Sequence, residues 1–328
     1  MLKQMPDYKE LEKNFKPKFI ERYSQITDFE EFKKYSLSYL RRSIRVNTIK
    51  ISVPDLIKRL EKDWILTQIP WCKEGFWIEH RGTKKINKEG KEELEKRRDV
   101  GNLIEHSLGY IYVQEAASMI PPLVLDPKPD EIILDMCASP GSKTTQIAQY
   151  MENKGILIAN DFQGIRLKPL GVNLQRCGLT NSIINLGFGQ KLNGIEFDRI
   201  LVDAPCSGTG TIRKSVKTMR VWNQITVSRL CVSQKKLIDN AFGLLKNGGV
   251  MVYSTCSCEP EENEGVVSYL LNKFQNADLE EIDLPIKRSK CITEFDGEKY
   301  DPRVSKCLRI FPQDNDTEGF FIAKIRKK

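Results

Sequence analysis

Histidine is nearly missing: His80 and His106 are the only two in 328 residues. Zinc cages draw on clustered histidines and thiols, and the one close thiol pair is Cys256-Ser257-Cys258, so no metal site is expected. Long apolar runs are missing too. No stretch of about 18 apolar residues exists to cross a bilayer, and Met1-Leu2-Lys3-Gln4-Met5-Pro6 carries no apolar segment of signal-peptide length. The chain is therefore expected to be cytoplasmic, with no membrane partner. It has no internal repeat and no low-complexity tract. Two phosphate-loop signatures also fail. Gly-x-Gly-x-x-Gly does not occur, and Gly141-Ser142-Lys143-Thr144 has Met136 five residues ahead of Gly141, where a Walker loop needs glycine.

What is present suits an α/β protein. The length leaves room for two domains, and 40% hydrophobic residues suffice for a full core. Nine cysteines in a chain of this class point to thiols in cores and sites rather than to disulfides. The net charge of +8 fits a polyanionic partner without demanding one.

The organising stretch is Ile132-Ile133-Leu134-Asp135-Met136-Cys137-Ala138-Ser139-Pro140-Gly141-Ser142-Lys143-Thr144-Thr145. Its first five residues are too few and too β-branched for a helix, and they are bounded by Pro129-Asp130 and Pro140-Gly141, so they read as a buried strand. A helix follows from Gln146 onward. A strand that turns through glycine into a helix offers free N–H groups and the positive end of a helix dipole to a ligand above the sheet edge. Further strands are predicted at 155–159, 182–186, 199–202 and 250–254, with helices between, then at 307–311 and 320–325. This alternation is the pattern of a doubly wound, Rossmann-like parallel sheet. The helix at 228–245 is predicted to stop at Gly248-Gly249.

Ahead of this domain, Phe15, Phe19, Tyr23, Phe29, Phe32 and Leu40 recur at helical spacing. Residues 41–51 alternate with period two, which predicts a strand with a basic face carrying Arg45; a helix at 53–62 and a strand around 75–78 follow. Together they form a small α+β module over residues 1–105, suited to RNA, with the main domain over 106–328. The mixed charge run from Lys84 to Arg98 has helical propensity and is predicted to be an exposed excursion.

In open α/β sheets, ligands bind beyond the carboxyl ends of the strands. Four such ends carry polar or reactive groups: Asp135 with the loop to Lys143, Asp161, Asp203-Ala204-Pro205-Cys206, and Ser254-Thr255-Cys256. Asp161 lies about twenty residues past the glycine turn, where a carboxylate reads ribose hydroxyls; its other reading is a helix cap. A ribose-reading acid without a phosphate signature suits S-adenosylmethionine better than NAD. Two thiols at adjacent strand ends suit methylation at carbon, because C5 of a pyrimidine becomes nucleophilic only after a thiolate adds at C6. Asp203 is placed to hold the amine and N3 edge of cytosine, and Lys143 to orient Asp203 or the base, unless it is simply a solvated lysine.

At this point the chain resembles a known family. Residues 135–144, Asp203-Ala204-Pro205-Cys206-Ser207-Gly208-Thr209-Gly210, Ser254-Thr255-Cys256-Ser257 with Glu261-Glu262-Asn263-Glu264, and Glu318-Gly319-Phe320-Phe321 are similar to successive motifs of the Nop/Sun family of RNA cytosine-5 methyltransferases. The resemblance spans roughly residues 105–328, and Arg45-Val46-Asn47-Thr48 resembles the start of that family's RNA-binding module. It implies a Rossmann-like methyltransferase domain with Cys256 as nucleophile and Cys206 assisting product release, while Asp203 and Lys143 contact the base. It places S-adenosylmethionine against Cys137, Ala138, Ser139, Pro140, Gly141, Ser142 and Lys143, with Asp161, Arg166 and Asp203. Two positions depart from the family: Phe188 stands near its adenine-contacting acid and suits stacking instead, and Gln313 replaces a frequent histidine.

The expected partner is RNA, with transfer RNA favoured over ribosomal RNA because the chain is compact and lacks long basic tails; a monomer is expected. Two rivals remain at this stage. Cys206 is the nucleophile if the chain follows DNA cytosine-5 methyltransferases, and a non-catalytic RNA-binding or assembly factor would keep the fold without the reaction.

Overall fold

In the computed structural model, which describes residues 3–5, 7–86, 92–95 and 99–328, the β-branched runs assemble into a four-stranded sheet and an eight-stranded one. The chain enters through helices Pro17–Tyr23 (α1), with proline in its first turn, and Phe29–Ser36 (α2), where the Asp28 carboxylate accepts the Glu31 N–H at 3.1 Å. Their aromatic stripe is buried as the spacing predicted, with Phe19 and Tyr23 stacked 3.9 Å apart, but Leu37 rather than half-buried Leu40 completes it. The stripe packs on Met219, Trp222, Val227 and Phe311 of the larger domain, not on the small sheet.

The small sheet contains Ser43–Val46 (β1), Trp64–Ile69 (β2), Cys72–His80 (β3) and Ile111–Val113 (β4), in the antiparallel order β2-β3-β1-β4, with helix Val53–Leu60 (α3) after β1. The expected basic face is corrected here. Ile44 and Val46 point into a core with Leu56, Leu60, Trp64 and Phe76, and Arg45, on the opposite face, is fully buried. Its guanidinium donates to Gln114 Oε1 at 2.9 Å, to the Ser142 carbonyl at 3.1 Å and to Thr145 Oγ1 at 2.8 Å. All four residues of β1 are buried, so both of its faces are covered, and Arg45 joins the sheet to the larger domain. Arg45→Ala removes three hydrogen bonds and leaves a cavity, so it is expected to destabilise the protein by about 3 kcal/mol. A thermal midpoint unchanged in calorimetry refutes this.

The charge run is also corrected in part. Thr83–Ile86 and Glu92–Glu95 pair as antiparallel strands, with Lys85 opposite Glu93 in the backbone register, where helical propensity predicted otherwise. Residues 87–91 and 96–98 lie outside the described residues.

The larger sheet begins with Ile132–Asp135 (β5), helix Ser142–Tyr150 (α4), Ile156–Asp161 (β6), helix Gly164–Cys177 (α5) and Ser182–Leu186 (β7). It continues with Phe197–Asp203 (β8), helix Gln224–Gly243 (α6), Leu245–Thr255 (β9), helix Glu264–Lys273 (α7), Ala277–Glu280 (β10), Leu308–Ile310 (β11) and Phe320–Lys327 (β12). The order is β10-β12-β9-β8-β5-β6-β7, with β11 on β12; the strands from β9 to β7 run parallel and β12 antiparallel. The chain moves outward from β5 to β7 and returns at β8, so the crevice lies at the carboxyl ends of β5 and β8. One predicted boundary moves. α6 ends at Gly243, and Gly248-Gly249 lies inside β9, where a Cβ on Gly249 would come within 2.9 Å of the Asp198 carbonyl oxygen. Close strand approach, not helix termination, requires that glycine. Among the described residues no helix is long and apolar enough to cross a membrane.

Candidate active site

The loop after β5 is fixed from both sides. Gly141 takes φ +104° at the N-cap of α4, and its N–H donates to the Ala138 carbonyl at 2.7 Å. From α5, Arg166 donates to the Ser139 carbonyl at 2.7 Å, Ser139 Oγ donates to the Arg166 carbonyl at 2.8 Å, and Asn173 donates to the Pro140 carbonyl at 2.8 Å. Asp135, beneath the loop, accepts from Thr144 Oγ1 at 2.7 Å, and burial pushes its carboxyl up to about 7.

Asp161 ends β6, 1% exposed. Its Oδ1 accepts the Gln163 N–H at 3.1 Å, a local turn contact ahead of α5, so capping explains only half the carboxylate. Oδ2 stands 3.4 Å from Arg166 and, like Asp135 Oδ1, has no hydrogen-bond donor. Beside it Phe162 and Phe188, both largely exposed, lie near-parallel with centroids 6.1 Å apart.

A cavity of about 400 Å³ opens at the ends of β5, β8 and β9. Of the residues expected there, Cys137, Ala138, Ser139, Pro140, Ser142, Lys143, Asp203 and Cys256 line it, whereas Gly141, Asp161, Arg166 and Cys206 do not. Lys143 is buried, not solvated. Its Nζ donates to Asp203 Oδ2 at 2.7 Å and to Ser118 Oγ at 3.1 Å, while Ser254 Oγ donates to Asp203 Oδ1 at 2.8 Å. Burial works against the ammonium, but Asp203, with Cys256 and Asp135, outweighs it and raises its pKa.

The two thiols meet. Cys206 Sγ and Cys256 Sγ are 3.3 Å apart, within hydrogen-bonding reach. The loops that carry them are tied by the Gly210 N–H donating to the Cys256 carbonyl at 2.9 Å and by a 3.0 Å contact between the Ser207 and Ser257 hydroxyls. A third loop locks in where the Gly319 N–H donates to the Gly210 carbonyl at 2.9 Å; a Cβ on Gly210 would stand 2.4 Å from the Gly319 oxygen. The Cys206 thiol is held well above its ordinary range by its hydrogen bond to Cys256, by burial, and by the nearby charges of Cys256 and Glu262.

Sequence reasoning missed Glu115 and assigned no role to Glu318, although Glu318 lay within a quoted motif. Both line the cavity. Glu115 accepts N–H bonds from Ala117 at 2.7 Å, Ser118 at 3.2 Å and Glu318 at 3.2 Å, yet burial and the Glu318 carboxylate push it up to about 8. A carboxyl with a raised pKa binds more protons folded than unfolded, so its contribution to stability falls as pH rises from about 4.5 to about 8. Glu115→Gln is expected to flatten the decline in melting temperature between pH 6 and pH 9; an equally steep decline refutes the assignment.

A mostly parallel doubly wound sheet, a glycine-turned loop with a buried acid at the end of the next strand, and a polar crevice define a Rossmann-like methyltransferase. The particular family follows from comparison. The family described as 16S rRNA methyltransferase RsmB/F matches residues 122–326, and the N-terminal domain of 16S rRNA methyltransferase RsmF matches residues 15–116. A tRNA (cytosine(49)-C(5))-methyltransferase from Pyrococcus abyssi is 49% identical over 98% of this chain and 99% of its own length. Ribosomal RNA small subunit methyltransferase F from Vibrio vulnificus is 42% identical over 92% of this chain, which spans 60% of that relative's length. Among solved structures, a methyltransferase homolog from Pyrococcus horikoshii superposes with a TM-score of 0.82 at 36% identity, covering 99% of this chain and 100% of that one. NSun6 from Pyrococcus horikoshii, solved with SFG, an analogue of S-adenosylmethionine, gives 0.79 at 27% identity over 96% of this chain and 98% of its own. The chain belongs to the RsmB/F family of methyltransferases.

Proposed function

We propose that this protein methylates carbon 5 of a cytosine in RNA, with transfer RNA as its substrate. The observation that carries the reading is the 3.3 Å approach of Cys206 and Cys256 beside the Lys143–Asp203 pair. Near-complete coverage of a transfer RNA enzyme, against 60% coverage of ribosomal RNA enzymes, supports the choice of substrate.

S-adenosylmethionine, when bound, supplies the methyl group on a sulfonium. The donor set fits it: Asp161 Oδ2 and Asp135 Oδ1 are buried acceptors without donors, as a ligand bearing hydroxyl and amine groups requires. Asp161 and Arg166 with the 137–143 loop hold the ribose and amino-acid portions, and the Phe162–Phe188 pair offers adenine a stacking wall. Cys256 Sγ adds to C6 of the cytosine, which places electron density on C5. Asp203, fixed by Lys143 and Ser254, takes the amine and N3 edge and orients the ring for the attack. Once C5 carries the methyl group, the C6–S bond breaks and the ring double bond re-forms as Cys206 gives its S–H proton to the departing Cys256 sulfur and takes the proton from C5.

Residues 1–105 serve as the RNA-binding module and 106–328 as the methyltransferase domain. Bisulfite sequencing of transfer RNA incubated with the protein and S-adenosylmethionine is expected to show one new protected cytosine. Protection confined to ribosomal RNA overturns the substrate, and protection in neither overturns the reaction.

A further inference from the structure

Two identical thiols face each other in this site, and something must give them different tasks. The surroundings of Cys206 hold the difference. Glu262, fully buried, accepts the N–H of Ser207, the residue after Cys206, at 3.2 and 3.0 Å through its two carboxylate oxygens. On the other side of Cys206, Gln234 of α6 donates to the Pro205 carbonyl at 2.9 Å and approaches Glu262 Oε2 at 3.5 Å. The Pro205-Cys206-Ser207 turn is thus gripped at both flanking peptide groups. The backbone of Glu262 is itself anchored, its carbonyl accepting from the Tyr253 hydroxyl of β9 at 2.6 Å.

We propose that Glu262 is a positioning residue for the second thiol: its carboxylate, acting through the Ser207 amide and with Gln234, fixes Cys206 against Cys256 and sets a negative charge beside it. The assignment deepens the cytosine-methylation reading and rests on it for the task of Cys206, though not for the grip on the turn.

The electrostatics run the same way. A carboxylate beside Cys206 disfavours a second negative charge there, so Cys206 stays the hydrogen-bond donor of the sulfur pair and Cys256 the acceptor. The acceptor sulfur is the one free to attack, and the retained S–H belongs to the residue that acts later. The charged and titratable groups around Glu262 are few. Cys206 faces it from the β8 loop, Tyr253 from β9 and Cys231 from α6, where Lys235 also acts on Cys231; Glu259 and Glu261 lie on its own loop. Burial, with the Glu259 charge, pushes Glu262 itself up to about 7 against the hydrogen bonds from Ser207 and Ser257, so its influence is complete only above neutral pH.

The test measures Cys206 directly in the full-length protein, with Cys256→Ser in the background so that one site thiol remains. Iodoacetamide labelling of Cys206, followed by peptide mass spectrometry between pH 7 and 9, is expected to quicken about tenfold at pH 8.5 when Glu262→Gln is added, because the charge is lost while one oxygen still accepts the Ser207 N–H. A tenfold gain corresponds to about one pH unit in the labelling profile. Equal rates with and without the charge overturn the proposal. Should Glu262→Gln fail to fold by circular dichroism, Gln234→Leu loosens the same turn from α6 and is expected to raise labelling; no change in that variant overturns it as well. A separate arm examines the reading beneath it: RNA is expected to remain covalently attached to Cys206→Ala protein, and to a lesser extent to Glu262→Gln. Labelling that responds to Glu262 while Cys206→Ala accumulates no adduct keeps the grip and removes the release role.

Discussion

Cys256→Ala is expected to abolish methyl transfer, with turnover falling at least about 10⁴-fold, while Cys206→Ala leaves RNA joined to the protein through a bond that survives denaturing electrophoresis. The opposite outcomes follow from one geometry. The sulfurs stand 3.3 Å apart, so one ring can reach both, but they come from different strand ends and meet it at different stages. Cys256 follows the last residue of β9 and lines the cavity, and without it C6 receives no nucleophile and C5 stays inert. Cys206 sits to the side; without it the adduct forms, but the departing Cys256 sulfur lacks its proton donor and the C5 proton its acceptor, so release is slow. Full turnover by Cys256→Ala, or a stable adduct on Cys206 in its place, would show that the roles are reversed, as in the reading borrowed from DNA enzymes.

The second large effect belongs to Asp203. Asp203→Asn keeps an oxygen for Lys143 but removes the charge that faces the activated ring. Losing one preorganised electrostatic group in a site sheltered from water typically costs about 10²–10³ in rate. Single-turnover methyl transfer is therefore expected to slow by that factor, with melting temperature and cofactor affinity little changed. Slowing of less than threefold would remove Asp203 from the chemistry. Loss of cofactor binding with an intact chemical step would place it on the other side of the cavity.

Much of this arrangement was legible in the chain, for identifiable reasons. The strand-turn-helix at 132–150 was readable because a β-branched run between prolines has few alternatives, and the strand ends carrying Asp203, Cys206 and Cys256 followed from the same alternation. Arg45 was misread because period-two alternation tells which residues share a face, not what covers it; here the cover is the first turn of a helix about a hundred residues later. Gly248-Gly249 looked like a helix stop because glycine signals both chain reversal and close approach, and only the neighbouring Asp198 carbonyl decides between them. Glu115 had no local signal: its hydrogen bond to Glu318 joins segments 203 residues apart.

The entry helices carry a consequence for how the molecule divides. Arg22 of α1 forms a 2.7 Å ion pair with buried Glu259, three residues beyond Cys256, and also pairs with Glu261; Tyr23 donates to Glu259 at 3.0 Å. The entry helices therefore splint the Cys256 loop from outside, although in sequence they sit beside the small sheet. A line drawn through the chain near residue 105 leaves Ile111–Val113, the last strand of the small sheet, on the far side, and the loop after β9 takes its outer brace from the far end of the polypeptide.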